Sequence, residues 1–253
     1  MVSRCWSFTN FACLLALAAG PSEARTLAEI KASGVLKIGL TGDYPPYDIK
    51  GPDGKFTGYD VTMARTLAED FGVTLKIVPT RWNSLESDLL SGRFDMAMGG
   101  VSITAARAAV GAFSKPVMQD GKRPIVRCAD KDRFTSIAAI DHPNIQVAVN
   151  SGGTNEAFAK AHFSYAKLRQ YPDNQAIFDD LASGHADLMV TDGAEVDFQA
   201  RRHPGVLCPA DVPQAFDHFV KAYWMTPDPP LKAAVDAVVT KSLNAGDYQP
   251  LGL

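Results

Sequence analysis

Short, nearly continuous runs of apolar residues alternate along the chain with stretches in which apolar residues recur every three or four positions. Runs of the first kind are typical of strands buried on both faces, and stretches of the second kind are typical of helices with one apolar face. In the first part of the chain this pattern predicts strands at residues 35–40, 73–78 and 94–98, and helices at 26–33, 58–71 and 85–90. The alternation predicts a parallel sheet with helices packed on its faces.

The same alternation starts again after Pro116. Strands are predicted at residues 124–127, 145–149, 188–191 and 222–225, and helices at 155–162, 176–183 and 231–243. No low-complexity linker separates the two halves. Two α/β units joined in this way predict a fold of two lobes with a ligand cleft between them.

Residues 187–199 place two acids at the end of a predicted strand. Asp192 follows the apolar run 188–191, and Glu195 falls in the first turn of the next helix. Because open α/β sheets bind ligands at the carboxyl ends of their strands, these acids could hold a cation, or one could donate a proton. The same spacing fits a capping box, which would only satisfy amides at the helix start. The spacing alone does not choose between the two.

The composition is that of an ordinary globular protein: 253 residues, 46% hydrophobic and 21% charged. The net charge of -3 provides no basic surface for nucleic acid or anionic membrane, so we expect neither as a partner. Residues 1–24 combine Arg4, an apolar run and small residues, which predicts a secretory signal peptide cleaved near Ala24. The run is shorter than the ~20 residues of a membrane span, so we expect an exported protein.

Two cysteines, Cys128 and Cys208, remain after removal of the predicted signal peptide. In an oxidising compartment an even pair predicts a disulfide, and two buried free thiols are the alternative. The five histidines lack metal-ligand spacing, and no phosphate loop or nucleophile triad is evident. We therefore expect no metal and no cofactor.

Several motifs resemble those of the periplasmic solute-binding proteins for polar amino acids. These motifs are Gly58-Tyr59-Asp60-Val61, Phe94-Asp95-Met96-Ala97, Ile103-Thr104-x-x-Arg107, Phe113-Ser114-x-Pro116 and Gly153-Thr154. The resemblance implies an α/β, two-lobed fold of the periplasmic-binding-protein type (type II), in which the last segment returns to the first lobe. It implies lobe 1 at residues 25–117, lobe 2 at 118–214 and a return to lobe 1 at 215–253. The implied location is the periplasm.

Other segments resemble the cyclohexadienyl dehydratases, enzymes built on that binding-protein fold. The matching segments are residues 41–44, 120–122, 150–156, 172–174, 191–195, 203–208 and 221–223. The resemblance implies decarboxylating dehydration of prephenate or arogenate to phenylpyruvate or phenylalanine, a reaction of aromatic amino-acid biosynthesis. The alternative is a non-catalytic periplasmic receptor for a polar amino acid that feeds an ABC transporter. The sequence leaves open the choice of substrate and whether the chain forms a homo-oligomer.

The resemblance also assigns roles to individual residues. Glu195 is the implied general acid, and Lys221 matches an active-site lysine, although a surface lysine that snorkels would explain it equally well. Asp192 matches the acid that binds the ligand's ammonium group in amino-acid receptors; arogenate has such a group and prephenate does not. The remaining implied substrate contacts are Arg107, which would grip a carboxylate, together with Thr154, Asn155, Ser102, Tyr44 and Trp82.

Overall fold

A computed structural model of the chain describes residues 24–248. The predicted signal peptide lies, except for its last residue, outside the described residues. In chain order the elements are α1 (Leu27–Ser33), β1 (Val35–Leu40), β2 (Asp43–Tyr44), β3 (Asp48–Lys50), β4 (Phe56–Thr57), α2 (Tyr59–Phe71), β5 (Thr74–Pro79), α3 (Leu85–Leu90), β6 (Met96–Ala97), α4 (Ala105–Val110), β7 (Ala112–Phe113), β8 (Met118–Asp120), β9 (Lys122–Arg127), a 3-10 turn (Cys128–Asp130), α5 (Ile137–Ile140), β10 (Gln146–Asn150), α6 (Thr154–His162), β11 (Lys167–Tyr171), α7 (Gln175–Ala182), β12 (Leu188–Asp192), α8 (Gly193–Arg202), β13 (Leu207–Pro209), β14 (Phe219–Lys221), β15 (Trp224–Met225) and α9 (Pro229–Ala245).

The first lobe contains a five-stranded sheet in the order β5-β1-β6-β15-β7. β1 runs parallel to β5 and β6, as the β-α-β pattern predicts, whereas β15 pairs antiparallel with β6 and β7. Apolar residues of β1 pack against α2 and α9 in one continuous core. Burial of these helix faces fixes the position of β1. Residues 41–47, which include the predicted substrate contact Tyr44, follow the carboxyl end of that strand.

The second lobe contains a sheet in the order β11-β10-β12-β9-β13. β10 is parallel to β11 and β12, and β9 lies antiparallel between β12 and β13. All five residues of β12 are buried, as the continuous apolar run predicts. A disulfide joins Cys128, just after β9, to Cys208 in β13 and closes a loop with a sequence separation of 80.

Two antiparallel strands, β8 and β14, connect the lobes as a two-stranded ribbon. The chain leaves the first sheet at β7, passes through β8 to the second sheet, and returns through β14 to β15. Because the ribbon belongs to neither five-stranded sheet, the lobe boundaries near residues 117 and 214 stay predictions.

Three local expectations were wrong in extent. Both large sheets are mixed rather than parallel throughout. The third strand is confined to Met96–Ala97, because the Asp95 carboxylate accepts a hydrogen bond from the Lys37 amide at 2.7 Å where a backbone partner would otherwise continue the ladder. The predicted strand 222–225 begins only at Trp224, because the Tyr223 amide donates to Ser114 Oγ. Within residues 24–248, no helix is both long and apolar enough to cross a bilayer.

Candidate active site

A narrow cavity lies between the lobes. Its walls are formed by Tyr44, Trp82, Gly100, Ser102, Arg107, Asn150, Gly153, Thr154, Asn155 and Asp192. All seven residues that the sequence predicts as substrate contacts are therefore in its lining. Lys221 and Glu195, the two residues predicted to be catalytic, are fully buried behind these walls.

Asp192 ends β12 and lies at the centre of a buried charge cluster. One carboxylate oxygen accepts a hydrogen bond from Lys122 Nζ, and the other accepts from Lys221 Nζ and from the Tyr44 hydroxyl. Burial by itself would raise the pKa of Asp192, but the two ammonium groups hold that pKa well below its usual range. Asp192 is therefore an ionised carboxylate.

The capping box, one of the two interpretations that the spacing left open, is not formed. Asp192 occupies the N-cap position of α8, but its side chain makes no capping hydrogen bond. The helix start is satisfied instead by the preceding ribbon, because Asp120 Oδ2 accepts from the Ala194 amide at 3.3 Å and Gly121 O accepts from the Gly193 amide at 2.9 Å. Both Asp192 and Glu195 are thus free of capping and are available for other contacts.

Glu195 lies in the first turn of α8, and its hydrogen-bond partners are neutral. Its Oε1 accepts a hydrogen bond from Asn174 Nδ2 at 2.5 Å, and its Oε2 accepts from Thr191 Oγ1 at 2.6 Å. Burial raises the pKa of Glu195 well above its usual value, the charges of Asp192 and Asp43 raise it further, and the two hydrogen bonds only partly oppose the rise. This environment favours the protonated acid.

Arg107 lines the cavity from α4. The Thr104 hydroxyl caps that helix by accepting from the Arg107 amide, as the Thr104-x-x-Arg107 spacing predicts. The guanidinium donates to the Ser102 carbonyl at 2.9 Å and lies 5.7 Å from the ring centre of Trp224. These contacts orient a cation towards the space where a carboxylate could form two hydrogen bonds.

The start of α6 faces the cavity from the other lobe. Gly153, rather than Thr154, is the N-cap residue, and Thr154 Oγ1 instead accepts a hydrogen bond from Lys122 Nζ at 3.0 Å. Gly152 adopts a φ of 85°, and a Cβ at that position would lie 2.6 Å from Asn83 of the first lobe. A glycine is required here because the two lobes approach so closely.

Asn174, the N-cap residue of α7, links Glu195 of the second lobe to the backbone of the first lobe. Its side-chain amide donates to Glu195 and also to the Asp43 carbonyl at 3.2 Å, while Gln175 donates to the same carbonyl at 2.8 Å. Asp43 Oδ1 in turn accepts from Trp82 Nε1 at 3.1 Å. The segment that carries Tyr44 is thereby held against the second lobe beside Glu195.

Residues 36–251 match the family of bacterial extracellular solute-binding proteins, family 3. The chain belongs to that family. It is 43% identical over 227 residues to the cyclohexadienyl dehydratase of Pseudomonas aeruginosa (strain PAO1), a match that covers 89% of this chain and 84% of the relative. The predicted resemblance to the cyclohexadienyl dehydratases is confirmed.

Solved structures of solute-binding proteins have the same two-lobed fold. An ancestral amino acid-binding protein, a precursor of cyclohexadienyl dehydratase, matches with a TM-score of 0.79 and 32% identity, over 88% of this chain and 95% of that one. An amino acid ABC transporter substrate-binding protein from Streptococcus pneumoniae, bound to L-arginine, matches with a TM-score of 0.81 and 28% identity, over 88% and 95%. The predicted fold class is confirmed.

In this solute-binding protein, the sequence assigned no role to four residues of the site: Lys122, Asn150, Asn174 and Thr191. Lys122 lies in a segment that resembles the cyclohexadienyl dehydratases, but nothing local to Lys122 indicates that it reaches Asp192. Asn155 Nδ2 donates to Thr191 Oγ1 at 2.9 Å, so the overlooked Thr191 completes a hydrogen-bonded chain from Lys122 to Glu195, and the overlooked Asn150 accepts from Asn155 Nδ2 at 3.1 Å beside that chain. Asn174 is the fourth overlooked residue. Within residues 24–248, no group of three or more His, Cys, Asp or Glu side chains could hold a metal ion.

Proposed function

We propose that the protein catalyses the decarboxylating dehydration of prephenate, of arogenate, or of both, to phenylpyruvate and phenylalanine respectively. The observation that carries the proposal is the environment of Glu195: a fully buried carboxyl, contacted by neutral donors, one helical turn from a cluster of cations. An amino-acid receptor has no use for a buried acid that keeps its proton, whereas a dehydratase needs one. The 43% identity to a cyclohexadienyl dehydratase supports the same assignment.

The reaction requires one proton and no redox partner. The bond between the ring carbon and its carboxylate breaks, and CO₂ departs. The electron pair left behind moves through the ring double bonds and expels the hydroxyl group on the opposite ring carbon. That hydroxyl takes the proton of the acid and leaves as water, and the ring becomes aromatic. Hydroxide is a poor leaving group, so the protein's largest contribution is the proton at that oxygen.

The proposal gives each group one task. Arg107 and the α6 start at Thr154 would bind the side-chain carboxylate of the substrate, since a guanidinium and helix-terminal amides both favour anions. Tyr44 and Trp82, whose rings meet edge to face at 5.3 Å, would contact the ring. Lys221 would hold Asp192 and add positive potential. Glu195 would turn from its buried position towards the cavity and protonate the hydroxyl; hydrogen bonds of this kind often form only in the substrate complex.

The alternative is a receptor for a polar amino acid, and the match to an arginine-bound substrate-binding protein favours it. Its weakness is Asp192, because the carboxylate that would accept a ligand's ammonium is already engaged by two lysines. For either function we propose a periplasmic location, since the family is extracellular and residues 1–24 have the pattern of a signal peptide.

The decisive experiment is a turnover assay on the purified mature protein. Prephenate is added, and phenylpyruvate and CO₂ are quantified; we expect equal amounts of both. Arogenate is assayed in parallel for phenylalanine. Calorimetric titration with a panel of L-amino acids, arginine included, tests the alternative. Tight binding of an amino acid without turnover of either cyclohexadienol would replace the dehydratase by the receptor.

A further inference from the structure

The hydrogen-bonding capacity of the two lysines at Asp192 is fully used by the protein. Lys122 Nζ contacts Asp192 Oδ1, Asn155 Oδ1 and, at 3.0 Å, Thr154 Oγ1. Lys221 Nζ contacts Asp192 Oδ2, the Gly100 carbonyl at 2.8 Å and Ser102 Oγ at 3.4 Å. An ammonium has three donor hydrogens, so each lysine is held in place by three acceptors. The Asp192 carboxylate receives a third hydrogen bond from Tyr44.

Three cations lie around the cavity and the Asp192 carboxylate. They are Arg107, Lys122 and Lys221, and both oxygens of Asp192 are engaged by the two lysines. Burial, followed by the charge of Asp192, raises the pKa of Asp120, and burial raises that of Glu195. A ligand with two carboxylates and no cation would complement this charge. A ligand that brings an ammonium group to Asp192 would meet two ammonium groups already there.

We propose that Asp192, through its lysines, selects a cyclohexadienyl substrate whose side chain ends in a keto acid rather than in an amino acid, so that prephenate is preferred over arogenate. The inference rests on the proposed dehydratase function. In this protein the acid that receptors use for a ligand's ammonium serves as the counter-ion of Lys122 and Lys221. Lys122 is then the specificity-determining residue, because its removal frees Oδ1 of Asp192, a residue that lines the cavity.

The test compares kcat/KM for prephenate and arogenate in the parent, in Lys122→Met and in Lys50→Met. We expect the parent to prefer prephenate at least tenfold, equivalent to about 1.4 kcal/mol. In Lys122→Met the preference should fall at least fivefold, because one carboxylate oxygen becomes available to the arogenate ammonium. Lys50 is exposed at the mouth of the cleft, and its replacement should leave the ratio unchanged. A ratio taken within one preparation does not depend on how much of a variant has folded.

The product pair supplies a second measurement that needs no turnover. Phenylpyruvate and phenylalanine differ by the same keto and ammonium groups, and we expect phenylpyruvate to bind the parent more tightly by calorimetry. Turnover of both substrates with equal kcat/KM, or with arogenate preferred, would overturn the inference and leave the dehydratase function intact. An unchanged ratio in an active Lys122→Met would overturn the role of the lysine cluster. Turnover of neither substrate would overturn the function and the inference together.

Discussion

Asp192 and Glu195 are separated by three positions at the start of one helix, and both are fully buried, yet their surroundings have opposite effects. Asp192 faces two ammonium groups and a phenol, which hold its pKa down. Glu195 faces an amide and a hydroxyl, which cannot offset its burial, so its pKa rises. Burial alone therefore does not decide the charge of an acid; the formal charge of its hydrogen-bond partners does.

The two acids are therefore suited to different chemical tasks. An ionised carboxylate can order cations but cannot give a proton, and a neutral acid can give a proton but attracts cations weakly. A pair of titratable groups whose pKa values are pushed apart is the usual arrangement for acid–base assignment in an active site. Three predictions probe the difference, in order of decreasing size.

Asp192→Asn should cause the largest change, in stability. The substitution removes the charge between Lys122 and Lys221 and leaves two ammonium groups buried without a counter-ion, a situation that typically costs about 3–5 kcal/mol. Urea unfolding of the oxidised protein at pH 7 measures the loss. The matched control is Asp197→Asn on the same helix, where the ion pair with Arg123 is about 30% exposed and worth at most about 1 kcal/mol. Equal losses for the two variants would mean that the buried cluster has no special energetic role.

Glu195→Gln should leave folding and KM for prephenate near those of the parent and reduce kcat at least about 10²-fold. Glutamine keeps the size, its Oε1 can still accept from Asn174 and its Nε2 can donate to the Thr191 hydroxyl, but it cannot supply the proton. The rate of phenylpyruvate formation is the measurement. Glu69→Gln, an exposed glutamate of α2, serves as control and should retain the parent rate. A Glu195→Gln enzyme as fast as the parent would reduce Glu195 to a structural residue.

The smallest predicted effect, expressed per pH unit, is a pH-dependent difference in stability between Glu195→Gln and the parent. The folded-state pKa of Glu195 lies well above the unfolded value of about 4.3. Below that unfolded value the acid is protonated in both states, and its favourable burial is fully present. As pH rises towards the folded pKa, the parent must take up a proton to fold and loses stability, by at most about 1.4 kcal/mol per pH unit. The glutamine variant has no such loss.

Urea midpoints of both proteins between pH 4 and pH 8 report this difference, and the variant should gain on the parent as pH increases. Glu69→Gln, a substitution of an exposed side chain, is measured alongside as the control. A constant difference for Glu195→Gln would show that the carboxyl titrates normally in the folded protein.

The two acids also show how far a sequence can be interpreted. The apolar run before Asp192 and the helical spacing after it predict the strand, the helix and the cleft-facing position of Asp192, because all of these depend on neighbours in the chain. The partners of the two acids are remote: Lys122 is 70 positions from Asp192, and Asn174 is 21 from Glu195. Periodicity carries no information on such contacts. The sequence therefore could not distinguish a capping box from two acids that serve the cleft, whereas the contacts of Asp120 and Gly121 with the start of α8 do distinguish them.

The short strands have the same explanation. β2, β3 and β4 form a small antiparallel sheet between residues 43 and 57, where the apolar pattern predicts no strand, because two or three residues are too few for an alternating pattern. Asp95 and Ser114 end their strands through side-chain hydrogen bonds to a remote backbone. Family resemblance selected seven residues that line one cavity, because it compares whole constellations and not local patterns.

The three side chains that contact Asp192 lie in different parts of the molecule relative to the ribbon of β8 and β14. Lys122 and Asp192 are neighbours on paired strands of the second sheet, Lys221 ends the ribbon itself, and Tyr44 belongs to the first lobe. If the lobes hinge at the ribbon, the contact between Lys122 and Asp192 stays within the second sheet, whereas the contacts of Tyr44 and Lys221 with Asp192 run between the lobes. In the open cleft Asp192 would then still be paired with Lys122, so the charge that a ligand meets at this position would be set before the ligand binds.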